Sequence, residues 1–99
     1  MLTVIATYRA DPESAQTVAD VLAGHAAISE QEPGCRQFLA HQAVDDPARF
    51  FLYETYDSME AFEAHRASSH FKENIEAKLA PLLIEREWHM CSAPLRTEP

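Results

Sequence analysis

Apolar and polar residues alternate from Leu2 to Arg9, with Leu2, Val4, Ala6 and Tyr8 on one side and Thr3, Ile5, Thr7 and Arg9 on the other. A period of two predicts a first strand. Asp11-Pro12-Glu13 then offers an N-cap, a proline at the first helical position and an acid in the first turn. The stripe Ala15, Val18, Val21/Leu22 and Ile28 carries a helix to about Gln31, where Pro33-Gly34 stops it. Cys35 to Val44 reads as a second strand, and Asp45-Asp46-Pro47-Ala48 as a turn into a third, Arg49 to Tyr56, so the two predict an antiparallel hairpin. Asp57-Ser58-Met59-Glu60 has the form of a capping box and opens a short helix through Ala61, Phe62 and His65. Ser68-Ser69 restarts a helix that carries Phe71, Ile75 and Leu79 to a stop at Pro81, and Leu82 to Cys91 forms the last strand.

The order β-α-β-β-α-β with a broken second helix is the ferredoxin-like split βαβ arrangement, an α+β fold. Residues 1–91 make one domain, and 92–99 a polar tail. Helices cover one face of the sheet. The other face offers Phe51 and Tyr53, and an antiparallel sheet that is apolar on both faces needs cover on both. Two such sheets packed face to face in a homodimer would supply it.

Composition narrows the partners. Sixteen acidic residues against eight basic ones give a formal charge of −8, which repels nucleic-acid phosphates and anionic lipid, so neither a nucleic acid nor a membrane is expected. No run approaches the ~18 apolar residues of a membrane span. Met1-Leu2-Thr3-Val4 enters strand-like sequence without a basic region, so a cytoplasmic protein is the expectation. Cys35 and Cys91 stand far apart with no C-x-x-C spacing, and both are expected as small buried hydrophobes.

Candidate chemistry centres on Glu54. Alternation in the third strand places it on one face with Phe50, Leu52 and Tyr56, where a carboxylate must find a partner, hold a proton or border a wet cavity. His25 lies near the buried edge of the first helix. It reads either as a core-margin histidine bonded to a carbonyl or as a base tuned by a carboxylate. His65 ends the short helix, a position the helix dipole favours on its own, and is the other candidate partner. His65 and His70 are five apart across a helix break, which does not stack them as a metal motif, so no metal is expected. With only Gly24 and Gly34 there is no phosphate loop, and no nucleotide or flavin is expected either. Tyr56, Phe50, Leu22 and Phe71 are the candidate substrate-binding residues.

The motifs Glu32-Pro33-Gly34-Cys35, Asp46-Pro47-x-Arg49-Phe50-x-Leu52-Tyr53-Glu54-x-Tyr56, Ala61-Phe62-x-x-His65 and Ser69-His70-Phe71 resemble the antibiotic biosynthesis monooxygenase family from residue 2 to about 90. The resemblance implies a dimeric α/β barrel with a pocket between sheet and helices in each subunit. Its members include cofactor-free quinol monooxygenases, polyketide-ring oxygenases, haem degraders and an isomerase of a phosphorylated autoinducer. The haem degraders carry a tryptophan at the place of His65 and a histidine further along, where this chain has Asn74, Ile75 and Glu76. The match is nearest the quinol monooxygenase and isomerase branch, whose pocket histidines correspond to His25 and His65. The activity implied by this resemblance is that of a cofactor-independent monooxygenase acting on a quinol or related aromatic with O₂, in which His25 is the base, Glu54 orients it, and His65 or Tyr56 stabilises the oxyanion. The same set could move a proton between adjacent carbons, as an isomerase, or the domain could be a non-catalytic binding module.

Overall fold

Four strands and two helical segments, both on one face of the sheet, are built in the expected order in the computed structural model, which describes residues 1–97. The strands are β1 (Leu2–Ala10), β2 (Cys35–Gln42), β3 (Arg49–Tyr56) and β4 (Leu83–Cys91), and every pairing in the sheet order β2-β3-β1-β4 is antiparallel. This is the ferredoxin-like α+β fold. Its centre is fixed by register: Glu54 stands opposite Val4 on β1 and Phe38 on β2, two apolar neighbours that leave its carboxyl no charge partner across the strands.

After β1, the Asp11 side chain accepts the Glu13 N–H at 3.2 Å, capping a short turn (Pro12–Ser14) ahead of helix α1 (Ala15–Ser29). The buried stripe of α1 is Ala15, Val18, Leu22, His25 and Ser29. The expected Ile28 is 47% exposed instead, because two of the core positions are held by polar side chains and the apolar pattern alone points the stripe to the wrong side. Gly34, between α1 and β2, sits against α2, and a side chain there would collide with Ala61.

Helix α2 (Met59–Ala67) starts one residue later than its capping box predicts. Ser58 Oγ accepts the Ala61 N–H at 3.2 Å, while Asp57 is engaged at 2.5 Å by Arg36. The helix break falls where the serines suggest. Ser68 takes an extended conformation, donates to the His65 carbonyl at 2.6 Å and accepts the Phe71 N–H at 3.2 Å, so one residue ends α2 and opens α3 (Ser69–Phe71). A π-helical stretch (Lys72–Leu79) follows, with bonds spanning five residues, as from the Ala80 N–H to the Ile75 carbonyl. It buries Ile75 and Leu79 in the core. A short turn (Ala80–Leu82) around Pro81 leads into β4.

The helices cover Val4, Ala6, Tyr8, Phe38, Phe50, Leu52 and Glu54. The opposite face leaves Ile5, Leu39 and Phe51 each about two-fifths exposed. Cys35 is buried as expected, whereas Cys91 on the edge strand is only partly so. No helix among the described residues is long and apolar enough to cross a membrane.

Candidate functional site

Glu54 is 5% exposed and holds one direct hydrogen bond: the Tyr56 hydroxyl donates to its Oε1 at 2.6 Å. The two residues are neighbours on one face of β3, two positions apart, which is how the strand's alternation delivers both to the same place. Burial pushes the Glu54 carboxyl up to about 7, against the opposing pull of the Tyr56 bond, with the Glu32 charge adding to the rise. A carboxyl so placed exchanges its proton near neutrality. Tyr56 is fully buried, and that burial together with the Glu54 charge raises its hydroxyl, so it stays a donor.

The histidines form a separate group one layer away. His65 Nδ1 lies 2.9 Å and His70 Nε2 2.5 Å from the same Glu32 oxygen, so Glu32, on the loop after α1, clamps the two helices on either side of the break. Burial lowers the His65 ring's basicity, with Glu32 opposing it. His25 on α1 takes a hydrogen bond from Asn74 at its Nδ1, 3.2 Å away, while its Nε2 has no partner among the described residues. Its ring stands edge-on to Phe38 and 5.4–5.5 Å from those of His65 and His70. Burial, reinforced by those two rings, lowers His25 to about 3.

The expected Glu54–histidine hydrogen bond is therefore not formed directly: Tyr56 takes the carboxyl and Glu32 takes His65. His65 reaches this carboxyl only through packing, its ring 5.5 Å from that of Tyr56. Among the described residues Glu54 lines one pocket and His25 another, beside Asn74 and Lys78. Glu54 opens into a narrow pocket of about 30 Å³, walled by Tyr8, Phe62, Phe71, Trp88, Arg66 and Arg86 over a floor of Val4 and Ala6. That is room for a water molecule or two, well below the roughly 300–1,000 Å³ of small-molecule sites, so a ligand enters only as the exposed side chains at the mouth, Arg66, Arg86 and Trp88, move aside. Of the candidate binding residues, Phe71 lines this pocket and Tyr56 backs it through Glu54. Leu22 and Phe50 border a different hollow beside His41 and Gln42.

Tyr8, Arg66, Arg86 and Trp88 were not among the sequence candidates. A signal for Tyr8 was present, since it continues the Val4–Ala6 face of β1. Arg86 and Trp88 are opposite Tyr8 and Ala6 in register, so extending the same face to β4 finds them. Burial pushes the Tyr8 hydroxyl up to about 12, with Arg86 opposing the rise. For a metal, the donor set is Glu32, His65 and His70, whose ligand atoms lie within 4.8 Å of one another. Glu32, which the spacing of the two histidines gives no hint of, satisfies both rings by hydrogen bonding alone.

A ferredoxin-like sheet with an acid-bearing, aromatic-walled pocket under a broken helix defines an α+β domain whose candidate site is narrow and opens between exposed side chains. The chain belongs to the antibiotic biosynthesis monooxygenase family, whose model matches residues 1–77. Similar solved structures include a Pseudomonas aeruginosa protein, 29% identical, with a TM-score of 0.88 over 95% of this chain and 94% of that one. A Mycobacterium tuberculosis protein is 25% identical, with a TM-score of 0.86 over 99% and 98%. A Nitrosomonas europaea protein, provisionally described as an antibiotic biosynthesis monooxygenase, shares the fold at 24% identity and a TM-score of 0.84 over 94% and 98%. No protein with a curated description matches the sequence.

Proposed function

We propose that the protein is a cofactor-independent monooxygenase that oxidises a quinol or related electron-rich aromatic with O₂. The observation that carries this reading is the Glu54 carboxyl, poised at about 7 and facing a pocket walled by aromatic rings. Ionised Glu54 takes the proton of a ring hydroxyl, the general-base step. The resulting electron-rich anion gives one electron to O₂, and the aryl radical and superoxide recombine at a ring carbon. Protonation gives a hydroperoxide, which loses water to leave a new carbonyl, so one oxygen atom enters the ring and the other leaves in water. The aromatic walls keep bulk water from the reacting pair. The base thus sits at Glu54 rather than at His25, whose lowered basicity and separate packing suit a core role.

With a panel of quinols, the protein should take up one O₂ per quinol, and label from ¹⁸O₂ should appear once in the product. Ligand turnover without O₂ uptake would favour the isomerase alternative, and binding with no turnover would favour the binding module.

The reading includes a homodimer closing the barrel over the exposed sheet face. Ile5, Leu39 and Phe51 are the apolar residues that a second copy would cover. Sedimentation at micromolar concentration should give twice the chain mass, and Phe51→Glu should shift it toward the monomer. A wild-type monomer under those conditions would end the dimer proposal.

A further inference from the structure

The geometry points to an anionic ligand: an aromatic ring whose acidic substituent, carboxylate or phosphate, is held between Arg66 and Arg86 in the Glu54 pocket. This rests on the reading that this pocket is the ligand site, and it adds the substrate class. Arg66 and Arg86 come from different elements, α2 and the edge strand β4, yet both line the one pocket. Each is held by rings instead of acids. The Arg66 guanidinium lies 5.1 Å from the Trp88 centroid and 5.9 Å from that of Phe71, and Arg86 lies 6.0 Å from that of Tyr8.

Among the described residues neither is paired with a carboxylate, whereas Arg9 and Arg36 are. Glu54, the acid on the same pocket wall, does not serve as their counter-ion, since its carboxyl is raised by burial and not pulled down by either arginine. A guanidinium beside a ring keeps N–H groups to spare for gripping a carboxylate or phosphate with two parallel bonds, and Arg86 spends only part of its set on the Tyr8 hydroxyl. On a chain of formal charge −8, two uncompensated cations converging on one cavity single out that cavity for an anion. A shallower groove continues past Phe62 and Arg66 to Lys72, extending the positive wall outward beside one acid, Glu63. The ligand's ring enters as the exposed Trp88, Arg66 and Arg86 side chains at the mouth move aside, and Glu54 faces its other end.

The test compares 2,5-dihydroxybenzoate with its methyl ester, which keeps the ring and both hydroxyls but removes the charge. Binding is read by calorimetry, with quenching of Trp88, the chain's one tryptophan, as the reporter of place. The acid should bind at least about tenfold more tightly, and salt should weaken it more than the ester. Arg66→Gln and Arg86→Gln, both at exposed positions, should each weaken acid binding much more than ester binding and so erase most of that preference. Phenyl phosphate in the same assay ranks phosphate against carboxylate. Equal binding of acid and ester, or a preference that survives both variants, would overturn the inference. Acids that bind through the arginines, with no quinol of the panel taking up O₂, would sink the monooxygenase reading and leave this one standing.

Discussion

Glu54→Gln should lower turnover by roughly 10²–10⁴-fold, the loss expected for a general base, while making the protein more stable above neutral pH. The two effects have one origin. In the folded chain the carboxyl is held at about 7, against 4.5 for an ordinary glutamate. Between those values the folded state keeps a proton that the unfolded state has released, so stability falls as pH rises through the window. By pH 8 the buried charge is fully present, and a displacement of this size corresponds to about 3 kcal/mol. Glutamine keeps the volume and an oxygen to accept the Tyr56 hydroxyl, but never ionises. Its melting temperature at pH 8 should therefore exceed wild type by on the order of 10 °C, with little difference at pH 4. Wild-type kcat/KM should rise with unit slope below about pH 7 and level off above it. A variant that keeps wild-type turnover, or a profile flat through neutrality, would show that the base lies elsewhere.

How legible this site was depends on which residues occupy the pattern. Strand alternation was readable because β1 and β3 put apolar side chains on their helix side at nearly every second position, so Glu54 stood out as the exception. The helix break was readable because Ser68 carries its own capping oxygen. In α1 the same logic misled: His25 and Ser29 fill core positions, and an apolar-only stripe drifts to Ile28, which is exposed. The Asp57 box failed by one residue because Arg36, far away in sequence, takes the aspartate and leaves the cap to Ser58. Pairing was harder still. Nothing local says that Glu32 reaches both His65 and His70, since their meeting depends on how a loop crosses a helix break. Of the two histidines suggested as partners of Glu54, His65 is thus satisfied by a different acid and His25 takes its hydrogen bond from Asn74. Arg86 and Trp88 required the β1–β4 register before their pocket role could be seen.

His25→Leu should leave turnover within about tenfold of wild type and make the protein markedly more resistant to acid. His25 is fully buried and held at about 3, against 6.5 for a free imidazole, chiefly by burial. Between these values the unfolded chain takes up a proton that the folded chain refuses, so stability is lost as pH falls through the window, opposite in sign to Glu54. The separation corresponds to about 5 kcal/mol, a large share of the roughly 5–15 kcal/mol that a small domain has. From pH 6.5 down to 4.5 the two groups oppose each other, since protonated Glu54 gains what His25 loses. Below 4.5 the Glu54 contribution no longer changes and His25 alone of the pair keeps drawing stability down, so unfolding should steepen there. Leucine fits an apolar position of near-equal volume, removes the unpartnered Nε2 and leaves the half-buried Asn74 free to turn outward. The acid-unfolding midpoint followed by circular dichroism should fall by about one pH unit. If instead His25→Leu loses 10²–10⁴-fold in turnover with its acid midpoint unmoved, then His25 is the base and the neutral-range carboxyl of Glu54 serves only to position it.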